Sequence, residues 1–586
     1  MSTGSRLASP LFVLATVSLS AATPSIASAA WPPFGRAIST AVGDQLSPAI
    51  ASDGAGGAII SWVDFRGTPV NLFARRVLAS GDVDPTWPAD GRALRTNPLA
   101  LGIESENPGP PGIVPDGSGG AIVVWEDRRS SLTAPDIFAQ HVLASGAVDA
   151  AWPANGLAVS ATEGIQDFPS LISDGAGGAI VTWMDGRPGT TVVDIYAQHV
   201  LVSGRVDPTW PVNGAAVSTA SGPQTSPTIV GDGSGGAIVT WSDGRNATTS
   251  FDIYAQHLLL SGVVDPSWPV NGLAVSTAPQ GQFEPKIVSD GSHGAVVTWY
   301  DNQNGSNRVF VHRVLASGVV DPAWPVNGRA VSAGTEGQDF PRLVSDGSGG
   351  AIVIWQERVG GVFGVLAAWA QHIKAIGVVD PVWPVGGRVL GRPQRDQGNA
   401  VIGSDGAGGA IVAWQEGSAI KAGHVLASGT LDSVYSDSGR VVCDIPPSPR
   451  GSPALVPVGA GGAIVAWEDY RTGGADIYAK QVLQPVTGVP GTPGLEFAFD
   501  PPGPNPALSA TTLRFSLSRD ATVRLALYDA SGRRVRELIS GPQLAGVHAI
   551  GWDFRDAHGG SIGAGVYFAR LDVGARSLTR KVIHVR

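Results

Sequence analysis

Seven carboxylates are the first residues that could do chemistry: Glu104, Glu106, Glu163, Asp167, Glu284, Glu336 and Asp339. Two carboxylates flanking one bond can hydrolyse a glycoside, one as acid and the other as base or nucleophile. Their spacing along the chain does not pair them. A second group repeats as Trp-x-Asp-x-Arg: Asp64/Arg66, Asp127/Arg129, Asp185/Arg187, Asp243/Arg245 and Asp469/Arg471. Such pairs could line a polar substrate site or anchor a loop, and Asp185, Arg187, Asp243 and Arg245 are carried as ligand candidates. A third group is a recurring glutamine: Gln45, Gln166, Gln224, Gln282, Gln338 and Gln397, with Pro108 and Arg450 in the two remaining places. These are expected to ring the mouth of a central channel and bind a ligand there.

Other residues are assigned to structure. His141, His199, His257, His372 and His424 recur once per repeat, too far apart to share a metal, and Arg76, Arg313 and Gln481 replace them elsewhere. A hydrogen bond or salt bridge between repeats to an acidic neighbour suits them better. The Gly-rich "DGxGG" lacks the Gly-Lys-Ser/Thr of a phosphate loop, and one carboxylate per copy is too few for calcium. Cys443, the single cysteine, reads as a small buried hydrophobe, so no internal disulfide supports the fold. No catalytic residue, metal site or cofactor is assigned.

The elements that position these residues come from a repeat. Asp53, Asp116, Asp174, Asp232, Asp290, Asp346 and Asp405, with Val458 in the eighth place, recur every 53 to 63 residues. Nine residues after each stands Trp62, Trp125, Trp183, Trp241, Trp299, Trp355, Trp414 or Trp467. Asp and glycine build a tight turn, and the alternating strand after it places the tryptophan between sheets. A second tryptophan series, Trp31, Trp87, Trp152, Trp210, Trp268, Trp324 and Trp383 with Tyr435 last, reads as packing. Each unit holds four short strand signals, such as "PSLIS", "AIVTW", "DIYAQHVL" and "AAVST". Four antiparallel strands per unit of about 57 residues suit a propeller blade.

The ends specify closure. "WPPFGRAIST" at 31–40 matches the fourth strand of a unit, and the eighth unit stops after its third, at 476–483. The expected fold is therefore all-β: an eight-bladed β-propeller over 30–484 closed by the N-terminal strand, with Ile38 meeting the strand around Ile477. Closure removes exposed sheet edges. Residues 1–29 read as a signal peptide, with Arg6, the apolar run 11–22 and an Ala27-Ser28-Ala29 cleavage site. The protein is expected to be secreted or at the cell surface, with no transmembrane segment after the signal peptide.

Residues 485–494 are a Pro/Gly linker, and the strand signals of 495–586 suit a small β-sandwich. The C-terminal domain carries 12 basic and 8 acidic residues, while the mature repeat region has a net charge of −15. That acidic body excludes nucleic acid as a partner. "NPALSATTLRFSL", "LYDASGRRVREL", "AGVHAIGWDFRD" and "GVYFARL" resemble the Ig-like domain of flagellar hook-capping proteins. They are also similar to the C-terminal sorting domains of type IX secretion cargo. The resemblance implies a structural or sorting and attachment module without catalytic residues, with secretion or attachment machinery as its partner. Near-uniform blades favour a non-catalytic binding protein whose ligand, a glycan or a protein, sits on the propeller's top face. The alternative is a secreted glycoside hydrolase or polysaccharide lyase on the same scaffold.

Overall fold

The computed structural model describes residues 31–482 and 498–585, apart from 68–69, 96–109, 130–133, 188–191, 247–249, 304, 335–336, 361–363, 393–394, 434, 436–437, 446–449, 460–461, 500–501, 503–504, 518–520, 544–545, 558 and 574–575. The signal-peptide and linker assignments, Glu104, Glu106, Pro108 and Glu336 lie outside these residues. The described residues contain strands and turns, with no helix. They fall into two units, one ending at Val482 and one in the C-terminal part.

In the first unit the repeat folds into eight antiparallel sheets among the described residues. Their first strands are Gln45–Ser52, Gly112–Pro115, Ile165–Ser173, Gln224–Gly231, Gln282–Ser289, Gln338–Ser345, Gln397–Ser404 and Arg450–Gly459. The third sheet is typical: Ile165–Ser173, Ala179–Gly186, Asp194–Leu201 and Ala215–Ser218, with a two-residue ladder at Arg205–Val206. First strands start earlier than the apolar pattern suggests, at the glutamine. A register shift between Asp167 and Ser170 hides the first residues from a period-two reading.

Each first strand touches the first strands of the sheets before and after it, and the eighth returns to the first. The first strands therefore surround an axis. The cycle is closed as the chain ends require. Arg36–Ser39 pairs with Asp476–Val482, with Ala37 opposite Tyr478 and Ser39 opposite Ile477. Ile38 and Ile477 share one core cluster with Trp31, Trp62 and Val77.

Each tryptophan of the first series is fully buried. Trp183 shares a cluster with Ile122, Val124 and Trp152 of the preceding sheet, so the core lies between sheets. Burial of one such ring is worth roughly 3 kcal/mol. Its edge lies against Gly214, where a Cβ would stand 2.6 Å from Trp183 Cη2, so only glycine fits. The turn before it forms as the sequence implies. Asp174 Oδ1 accepts from the Ala176 and Gly178 amides at 2.7 and 2.8 Å, and Gly175 and Gly177 have φ of 76° and 92°. The second tryptophan series crosses to the next sheet. Trp152 Nε1 donates to Val202 O at 3.0 Å and Trp210 Nε1 to Leu260 O at 3.0 Å.

The second unit has a three-stranded sheet (Ala498–Phe499, Thr511–Leu517, Gly546–Trp552) and a four-stranded sheet (Ala521–Asp529, Arg534–Gln543, Gly565–Val573, Arg576–His584). Phe499, Phe515, Leu525, Trp552 and Leu571 share its core.

Candidate functional site

The acid–arginine pairs prove to be internal struts. Asp185 and Asp243 are fully buried. Asp185 accepts from Trp183 Nε1 at 2.8 Å and from Arg187 Nε and Nη2 at 2.8 and 2.7 Å. The Arg187 guanidinium lies 3.6 Å from the Tyr196 ring centroid and also donates to Asn213 O. Arg245 repeats the arrangement on Asp243, the Tyr254 ring and Asn271 O. Every oxygen of the carboxylate is used inside the sheet, so nothing is left to hold a ligand.

The glutamines expected at a channel mouth are buried as well. Gln45, Gln166, Gln224, Gln282 and Gln397 are fully buried and Gln338 is 1% exposed. Gln224 Nε2 donates to Ala220 O and Gly222 O, and Gln45 Nε2 to Ala41 O and Gly43 O. Gln166 Nε2 holds Thr162 Oγ1, and Gln282 Nε2 holds Ala278 O and Gln280 O. Gln338 and Gln397 bind the carboxylates of Glu357 and Glu416. They pin the loop that enters each first strand, and a ligand from solvent cannot reach them.

The histidines meet acids, but within one sheet rather than between sheets. His372 Nε2 and Nδ1 each lie 2.9 Å from a carboxylate oxygen, of Asp346 and Asp380 respectively. Burial opposes the ring's charge, yet these two hydrogen bonds raise the His372 pKa. Arg76 and Arg313 fill the same seat between Asp53 and Asp84 and between Asp290 and Asp321. Cys443 Sγ is buried and receives Arg471 Nη2 at 3.2 Å, and burial raises its pKa. Among the described residues no three His, Cys, Asp or Glu side chains converge as a metal site.

The non-uniform residues lie two positions beyond each buried glutamine, and beyond Arg450 in the eighth sheet. Ser47, Phe168, Ser226, Glu284, Phe340, Asn399 and Ser452 are left-handed, with φ between 47° and 55°. All but Asn399 precede proline, where a left-handed residue is doubly disfavoured. The preceding sheet holds some of these bulges. Glu126 Oε1 accepts from the Phe168 amide at 2.9 Å, and Glu468 Oε1 from the Ser47 amide at 2.8 Å. Phe168 and Phe340 are 61% and 57% exposed, unlike the buried frame around them.

Charge gathers at the same level. Asp167, next to Phe168, has an Oδ1 that is buried without a hydrogen bond. Burial, and then the charge of Glu126, push its pKa up to about 6, with Arg128 opposing. Among the other candidate carboxylates, Glu163 is exposed, Asp339 accepts from Asn307 Nδ2 at 2.5 Å, and Glu284 lies near Lys286 and Arg342. Glu126, Lys286, Arg342 and the left-handed residues other than Glu284 escape a reading of the sequence. Stacking the eight first strands position by position would have exposed the two cations. Nothing in the sequence announces a positive φ at serine or phenylalanine.

Residues 507–573 match the FlgD Ig-like domain. No curated protein matches the chain. The chain also matches solved structures at low identity and TM-scores below 0.5. The α-L-arabinofuranosidase Arb93A of Fusarium graminearum is 10% identical, with 54% of this chain and 92% of that one covered at a TM-score of 0.33. The polysaccharide lyase Uly1 is 10% identical, covering 78% and 92% at 0.39. A protein of unknown function from Dyadobacter fermentans is 9% identical, covering 77% and 99% at 0.32. Likeness at this level says nothing of a shared activity.

Proposed function

We propose that residues 31–482 are one closed eight-bladed β-propeller that binds a carbohydrate chain at the end of its axis marked by the left-handed residues. The observation that carries this reading is the strained bulge itself. Seven non-glycine residues adopt the same disfavoured conformation at equivalent places, each at a cost of roughly 1–3 kcal/mol. Their identities vary while the frame behind them stays constant, as expected of a display surface on a rigid scaffold. Exposed phenylalanines offer faces for stacking, and nearby acids offer acceptors for hydroxyl groups. In this reading residues 1–29 direct export, and 495–586 sort or attach the protein through a partner machinery. A glycan array with a parallel product assay tests it: Phe168→Ala with Phe340→Ala should weaken binding at least tenfold. Unchanged affinity removes the axial site.

A second reading rests on Asp167. A carboxyl titrating near 6 beside the Glu126 carboxylate offers an acid and a base in one place, the division of labour that glycosidic cleavage uses. Asp167→Asn and Glu126→Gln should then each lower turnover at least a hundredfold with little change in binding. Absence of any cleavage product from the unaltered protein leaves binding alone.

A further inference from the structure

The first strands break their repeat at two neighbouring sheets. The residue two positions after the left-handed one is Ala, Ser, Thr or Val in five sheets, and Gly112 takes that place in the second. In the fifth and sixth it is Lys286 and Arg342. Lys286 pairs with Thr298 and Arg342 with Ile354, so both occupy the same register position on adjacent first strands. These strands touch one another around the axis.

Several arginines of this unit pair with carboxylates, as Arg187 does with Asp185 and Arg450 with Asp469, and others, such as Arg92 and Arg329, donate to backbone carbonyls. Arg342 makes no hydrogen bond or ion pair among the described residues, and Lys286 Nζ donates only to Pro285 O at 3.3 Å. Among the described residues Glu284 is the carboxylate whose charge reaches both cations. The cluster therefore keeps an excess positive charge inside an acidic body, and its neighbours do not neutralise it.

Arg342 is exposed to water and Lys286 is half-buried. Yet burial is the first cause lowering both pKa values, that of Lys286 to about 8 with Arg342 adding to it. Both stand on first strands, the strands that surround the axis, rather than on the outer strands of their sheets. There an anion meets less competing solvent than on the surface. The planar guanidinium can take two oxygens of a carboxylate, and the ammonium supplies a point charge beside it.

We infer that Lys286 and Arg342 form an anion seat on the axis, built for the carboxylate of an acidic sugar in the chain bound there. This rests on the carbohydrate reading above. Phe340, on the same strand as Arg342, supplies the neighbouring aromatic face.

Calorimetry on the full chain tests it with oligogalacturonate, oligoalginate and oligoglucuronate, their methyl esters, and sulfated and neutral oligosaccharides. At least one uronate oligomer should bind at least tenfold more tightly than its ester, with affinity falling as salt rises. Lys286→Met with Arg342→Met should abolish that preference, while Lys286→Arg with Arg342→Lys should retain it. Neither pair should move the unfolding temperature appreciably, because neither cation has an ion pair to lose and the one hydrogen bond of Lys286, to Pro285 O, is long at 3.3 Å. Equal binding of acid and ester, or acidic binding unchanged in the double methionine variant, overturns the seat and leaves the carbohydrate reading standing. Preference for the sulfated oligomer assigns the seat to sulfate esters and overturns the carboxylate. Binding of none of the saccharides overturns both.

Discussion

At the scale of single residues, the buried titratable groups make stability depend on pH in a definite direction. Asp194 is 3% exposed and stands opposite Asp185 across its sheet. Burial first, then Asp185, push its pKa up to about 6, with Asp243 of the next sheet adding to them. A raised acid binds its proton more tightly when folded. Its contribution is thus complete below the unfolded value near 3.8 and lost as pH rises through about 6. His372 and His424 are also raised and lose their contribution as pH rises further. Asp346 and Asp405 are lowered, so theirs is lost as pH falls through the acid range. Stability should therefore peak in mildly acidic solution. Asp194→Asn removes the proton requirement. It should stabilise the protein at pH 8 by roughly 2 kcal/mol and have little effect at about pH 3, below the unfolded value, measured by denaturant unfolding at both pH values. An equal effect at the two pH values would show that Asp194 is not held neutral.

At the scale of elements, each first strand combines a buried anchor with a strained display residue. Gln224 pins the entering loop, and its amide donates to Val193 O of the preceding sheet at 2.8 Å. Two residues on, Ser226 is held at φ 55° before Pro227. Glycine accepts that conformation without the Cβ penalty. Ser226→Gly should thus raise stability by about 1 kcal/mol, read as a higher melting temperature. A fall would mean that the serine side chain contributes more than its backbone costs. Gln224 was legible as a recurring residue but not as an anchor. Its spacing is the same whether the side chain points into solvent or folds back on its own loop. Only the loop path, which brings Ala220 O and Gly222 O to the amide, decides between them.

At the scale of the whole molecule, closure depends on ten residues at the start of the first unit. Arg36 Nε donates to Gly81 O at 2.8 Å and Arg36 Nη2 reaches Asp82 at 2.8 Å, tying the closing strand to the first sheet. Lys480 Nζ donates to Pro33 O at 2.6 Å from the eighth. Removal of 31–40 opens the Asp476–Val482 strand edge and uncovers the cluster around Trp62. The truncated chain should self-associate in size-exclusion chromatography and lose cooperative unfolding, and a peptide of residues 31–41 should restore both. A truncated chain that stays monomeric and unfolds as before would show that the cycle does not depend on this strand.

The sequence by itself determined the repeat, the four-stranded unit, the split closing sheet and the C-terminal Ig-like domain. Each rests on local periodicity, on turn chemistry or on a motif contiguous in the chain. It also contained the tryptophan and Asp-Gly frame, since residues that pack the same way in every copy must be written in every copy. The tertiary structure alone decided which side of that frame each polar residue takes. It turned the glutamines and the Asp–Arg pairs inward. It brought Glu126 beside Asp167 from a different sheet, and it set Lys286 next to Arg342 although 56 positions separate them. Those juxtapositions arise from the cyclic stacking of first strands, a relation between copies that no single copy encodes.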